Sequence, residues 1–84
     1  MVYRARGAAI RARALELGAD GSMTSIAKTA GVPFETMRRA LLGVGWPSSQ
    51  FMAAVAYNLK APTDELFEIV DSYDARNTIH RGRR

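Results

Sequence analysis

Apolar residues recur along this chain at intervals of three and four, the spacing of one face of an α-helix, and glycine or proline interrupts each run. The clearest pair of runs lies in the middle. Ile26, Ala27 and Ala30 form one stripe, Gly31 breaks it with a residue suited to a positive φ, and Met37, Ala40 and Leu41 restart it before Gly43 ends it. Ser22 or Thr24 can cap the first of these helices. Pro33, with no N–H to lose, and Glu35, favourable to the helix dipole, start the second. Two short helices hinged on one glycine are the pattern of a helix-turn-helix.

The flanking segments follow the same grammar. Val2, Ala9 or Ile10, Ala14 and Leu17 predict a first helix over residues 3–17, with Gly18 at its C-terminal cap. After a loop over residues 43–47, Ser48 or Ser49 begins a fourth helix that runs to Leu59 and buries Phe51 or Met52, Val55, Ala56 and Leu59. Lys60-Ala61-Pro62 then breaks the chain. Thr63 caps a fifth helix with Asp64 and Glu65 in its first turn; Leu66, Phe67, Ile69 and Val70 mark its apolar face, and it ends near Tyr73 or Ala75. Ala dominates the apolar residues and runs of Val, Ile and Thr are missing, so the expected class is all-α. The expected architecture is a compact five-helix domain over residues 1–75 with a basic tail over 76–84.

Charge adds a direction to this picture. Twelve Lys and Arg stand against eight Asp and Glu, for a net charge of +4. Residues 1–43 carry seven bases and three acids, residues 44–75 carry Lys60 against five acids, and the tail holds Arg76, Arg81, Arg83 and Arg84. The bases therefore gather at the two ends and on the second helix of the hinged pair, which suits a polyanion on one side of the molecule as well as it suits a solvated face. With no Cys there is neither a disulfide framework nor a thiolate zinc site, and His80 alone lacks the ligands a metal requires, so no cofactor is expected. Arg4, Arg6, Arg11 and Arg13 interrupt any apolar run at the N-terminus, so neither a signal peptide nor a membrane span is expected and the default setting is cytoplasmic. Asp64-Glu65, Asp71 with Asp74, and Ser48-Ser49 lack the partners of a catalytic constellation, so no enzyme and no small-molecule substrate are expected.

With these residues laid out, residues 24–66 resemble the lambda-repressor and Cro-like helix-turn-helix family, the XRE type, without a gap. The resemblance is carried by Ala27, Gly31-Val32, Met37, Gly43, Pro47-Ser48, Ala56-Tyr57-Asn58-Leu59 and Asp64-Glu65-Leu66. Pro33 replaces the family's small polar cap, Leu41 replaces an acidic residue before the closing Gly, and Lys60 replaces the Gly after the fourth helix.

The resemblance implies a regulator of transcription, of phage repressor or Cro type, that binds a double-stranded DNA operator in a bacterial or phage-infected cell with its third helix in the major groove. The matching groove positions are Phe34, Glu35, Thr36, Arg38 and Arg39. Arg38 or Arg39 can pair bidentately with guanine, Thr36 can bond a base or phosphate, Glu35 can accept from cytosine and Phe34 can touch a thymine methyl. With Met37 pointing inward, Glu35 and Arg39 fall opposite the core, Thr36 and Arg38 on its flanks, and Phe34 nearer the core. Glu35 can equally serve the dipole or pair with one of the arginines.

Phosphate contacts are implied for Arg4, Arg6, Arg11, Arg13, Thr24, Lys28 and Trp46. Four neutralised phosphates would give a salt slope of about −3.6. The same four N-terminal arginines also suit a solubilising face, and Trp46 also suits a lid on the core. Relatives bind as dimers; here both a homodimer through the fifth helix and a monomer remain open. The alternative to DNA binding is a protein-interaction module, such as the antitoxin of a toxin–antitoxin pair, docking through the Leu41-Leu42 flank or the fifth helix.

Overall fold

The computed structural model describes residues 2–70. The expected end of the fifth helix, the Arg-rich tail, Asp71, Asp74 and His80 lie outside the described residues. In chain order the elements are β1 (Val2–Ala5), α1 (Gly7–Glu16), α2 (Met23–Ala30), α3 (Phe34–Leu42), α4 (Ser49–Leu59), α5 (Thr63–Leu66) and β2 (Phe67–Val70). Among the described residues no helix is long and apolar enough to cross a membrane.

Among the described residues five helices form, but the chain is not all-α: β1 and β2 pair as an antiparallel two-stranded sheet, with Val2 opposite Val70 and Ala5 opposite Phe67. The first helix therefore starts at Gly7, not near Tyr3, and the fifth is a single turn that gives way to a strand at Phe67. The physical reason lies in side-chain shape and pairing. Val2, Tyr3, Phe67, Ile69 and Val70 are β-branched or aromatic and fit a pleated surface, and each strand supplies the other's missing backbone partners. The Arg6 N–H donates to the Leu66 carbonyl at 2.8 Å to close the ladder. Arg4 and Glu68, directly opposite, form an ion pair at 3.0 Å. Thr63 is the first helical residue of α5, and Pro62 holds the cap position without a side-chain bond.

The helical caps explain where the chain turns. Ser22 accepts from the Ser25 N–H at 3.1 Å and Ser48 from the Phe51 N–H at 3.1 Å, so each of these two serines satisfies one orphan donor of its helix. Asp20 supports the first cap: its Oδ1 accepts from the Ser22 N–H at 2.9 Å, and its N–H donates to Ser25 Oγ at 3.0 Å. These bonds, chiefly those from Ser22, hold its carboxyl below its ordinary pKa. Helices α2 and α3 end on left-handed Gly31 and Gly43, and α4 ends on Lys60, a non-glycine residue at φ 55°.

The core gathers one face from every helix: Ile10, Ala14, Ile26, Ala30, Met37, Val55, Leu59 and Leu66 are all fully buried. Phe51 and Phe67 close it edge to face, with ring centroids 6.0 Å apart. Both Phe51 and Met52 are buried, while Ala56 is half-buried. Leu17, expected inside, is 38% exposed; Ala19 is buried in its stead and donates its N–H to the Ala14 carbonyl.

Candidate nucleic-acid interface

Gly31 joins α2 to α3 under two constraints. Its φ of 70° is a conformation that L side chains rarely adopt, and a Cβ placed there would collide with the Asn58 amide. That amide is fixed. Asn58 Nδ2 donates to the Ala30 carbonyl at 3.1 Å and to the Ala54 carbonyl at 2.9 Å, tying the end of α2 to α4. Val32 and Pro33 follow, and α3 packs across α2 with Met37 fully buried and Ala40 and Leu41 half-buried. Leu41 occupies the flank by lying over Gly7 of α1, where a Cβ would meet it at 3.6 Å.

The outward face of α3 then presents Phe34, Glu35, Thr36 and Arg39 exposed, with Arg38 half-buried. Glu35 and Arg38 are a bidentate pair: Arg38 Nε donates to Glu35 Oε1 at 3.0 Å and Nη2 to Oε2 at 2.5 Å. The guanidinium holds the Glu35 carboxyl below its ordinary pKa, and the carboxylate raises that of Arg38. Arg39 takes part in no ion pair among the described residues. It lines an open groove together with Thr36 of α3, Val44, Gly45, Trp46 and Pro47 of the following loop, and Phe51 of α4. Trp46 is 53% exposed, so it forms a wall of this groove and not a lid on the core. Phe34, placed near the core by helical spacing, is 45% exposed.

The basic residues outside α3 divide into engaged and unengaged. Arg13 bridges elements: its Nε donates to the Leu59 carbonyl at 2.7 Å, its Nη2 to the Lys60 carbonyl at 3.3 Å and its Nη1 to Glu16 at 2.8 Å. A cation is thus spent on the negative end of α4. Arg4 is paired with Glu68 on the sheet. Arg6, Arg11 and Lys28 are exposed and form no ion pair among the described residues; Thr24 is exposed in the first turn of α2. The structure thus brings Thr36, Arg39 and Trp46 into one groove and joins Glu35 to Arg38. It commits Arg4 and Arg13 elsewhere.

Two residues that matter here carry no expectation from sequence. Asn58 sits within the Ala-x-x-Leu segment of α4, and a polar residue one position from Leu59 in the apolar second half of that helix is its only signal. Asp20 is a turn residue whose place two before Ser22 is that of an Asx turn. Comparison with known proteins finds no matching family model, no matching curated protein and no matching solved structure.

Proposed function

We propose that this chain is a sequence-specific duplex-DNA-binding regulator of transcription, of repressor or Cro type, with α3 in the major groove. The observation that carries the reading is the α2–Gly31–α3 unit: Met37 is anchored in the core while Glu35, Thr36, Arg38 and Arg39 lie together on the outward face. An α-helix with such a face fits a major groove about 12 Å wide, and arginine is the side chain that most often reads guanine there.

Arg39, Thr36 and Trp46 sit at the edge of that face with a cation, a hydroxyl and an indole N–H, the donors that hold phosphates. Exposed Arg6, Arg11 and Lys28 add sequence-independent attraction. With Arg4 and Arg13 paired to carboxylates, the N-terminal contribution to the salt slope falls from about −3.6 to about −1.8, that of two phosphates. Such a protein works in the cytoplasm of a bacterial or phage-infected cell, where its operator is, and as a homodimer or a monomer.

The test is selection from a pool of randomised duplexes, with affinity for the winner and for scrambled DNA measured at several salt concentrations. The expected result is an enriched motif bound at least about a thousandfold better than scrambled duplex; a two-fold symmetric motif identifies a dimer. Salt-sensitive binding with no motif reduces the protein to a basic DNA coat. No binding at low salt favours the protein-interaction module, for which exposed Leu42, Val44 and Trp46 are the apolar surface.

A further inference from the structure

We infer that Glu35 and Arg38 act together as a preset reader of guanine, in which Glu35 is a positioning residue that works through the Arg38 guanidinium. The inference rests on the reading of α3 as a DNA-binding face and deepens it by assigning base recognition to one of two adjacent arginines.

A guanidinium carries five N–H donors on two usable edges. Glu35 takes the side edge, with Arg38 Nε and Nη2 donating to its two carboxylate oxygens at 3.0 and 2.5 Å. The end edge, one N–H from Nη1 and the second from Nη2, stays unused and forms a second fork. That fork matches the O6 and N7 acceptors of guanine in the major groove. The carboxylate fixes the rotamer and the plane of the guanidinium before DNA arrives, so less side-chain freedom is lost on contact. Both side chains lie on the outward face, with 42% of Arg38 and 61% of Glu35 exposed.

Electrostatics separates this pair from its neighbour. The Glu35–Arg38 unit is neutral overall, and its carboxylate repels a phosphate, so the unit gains little from counterion release and suits a neutral planar acceptor pair. Arg39 has no carboxylate partner among the described residues and lies beside Thr36 and Trp46, which suits a phosphate. Base reading and backbone gripping are therefore divided between consecutive arginines by one glutamate on the preceding turn.

The experiment compares the full chain with Glu35→Gln and Arg38→Lys by duplex selection, followed by titration of the winning sequence and of variants with each guanine replaced. Glu35→Gln keeps the shape of an exposed side chain, and thermal unfolding checks that each variant remains folded. The wild-type chain is expected to prefer guanine at one position per site by at least about tenfold. In Glu35→Gln that preference falls to within about threefold, while affinity for scrambled duplex rises and its salt slope steepens by about 0.9, because a positive charge is released for phosphate contact. Arg38→Lys, which lacks the fork, loses the same preference. A guanine preference that survives in Glu35→Gln overturns the positioning role. One that survives in Arg38→Lys overturns the assignment of Arg38. If none of the three proteins binds duplex DNA, the functional reading itself falls and the inference falls with it.

Discussion

Two helices of this domain, α2 and α4, end in the same left-handed conformation and are secured in opposite ways. At the end of α2 the left-handed residue is Gly31, pressed against the side chain of Asn58; at the end of α4 it is Lys60, whose carbonyl and that of Leu59 are held from outside by Arg13. Both ends are exposed, and at the first both conformation and space demand glycine. At the second only conformation does, and a neighbouring cation offsets part of the strain. The difference follows from what each end positions. Gly31 sets the angle between the two helices of the candidate interface, whereas Lys60 only turns the chain toward α5.

The largest expected effect is at the tighter joint. Gly31→Ala combines a left-handed non-glycine residue, about 1–2 kcal/mol, with a collision against the Asn58 amide, and is expected to cost about 3 kcal/mol or more in chemical denaturation. Asn58→Ala separates the two contributions. Alone it loses the bonds to Ala30 and Ala54; in its background, Gly31→Ala is expected to cost only about 1–2 kcal/mol, so that a double-mutant cycle shows coupling. Additive costs would mean that Asn58 does not fill the space beside Gly31.

The looser joint gives smaller changes. Arg13→Ala removes the donors to Leu59 and Lys60 and is expected to destabilise by about 1 kcal/mol. Lys60→Gly relieves the positive φ and is expected to stabilise by about 0.5–1 kcal/mol while leaving duplex affinity nearly unchanged. A loss of stability in Lys60→Gly would show that the lysine side chain, and not its backbone, secures this end.

The smallest effect is that of acid. Asp20 and Glu35 both have folded-state pKa values below their ordinary ones, Asp20 through bonds from Ser22 and Glu35 through Arg38. A depressed carboxyl contributes stability that is present above its unfolded pKa and lost as pH falls through its folded value. Unfolding followed across the acid range below about pH 4.5 is therefore expected to show a decline that is shallower in Asp20→Asn, which has no carboxylate to protonate.

Much of the joint at Gly31 is legible in the residues, because each signal there is local. A serine cap, a glycine at the hinge, a proline before α3 and a glycine after it all act within a few positions. Their combined spacing places α2, α3 and the inward Met37. The strands are not legible in that way. Leu66, Phe67, Ile69 and Val70 satisfy a helical stripe, yet Phe67 and Ile69 also satisfy the alternation of a strand. What decides between them is Val2–Ala5, more than sixty residues away, whose hydrogen-bonding edge has no signature in either segment. The place of Arg13 is illegible for another reason: an arginine that caps a distant helix and one that faces solvent are the same letter at the same helical spacing. Glu35 with Arg38, like Arg13 with Glu16, stands three apart on one helix, a spacing that alone permits the pair.

The most direct measurement is duplex affinity of an Arg38→Ala, Arg39→Ala double variant against the unaltered chain, on the DNA sequence that the unaltered chain selects. With the melting temperature unchanged, loss of affinity by about a hundredfold or more is the expected result, that of one base contact and one phosphate contact removed from one helix. Retained affinity at unchanged stability would contradict the placing of α3 against DNA.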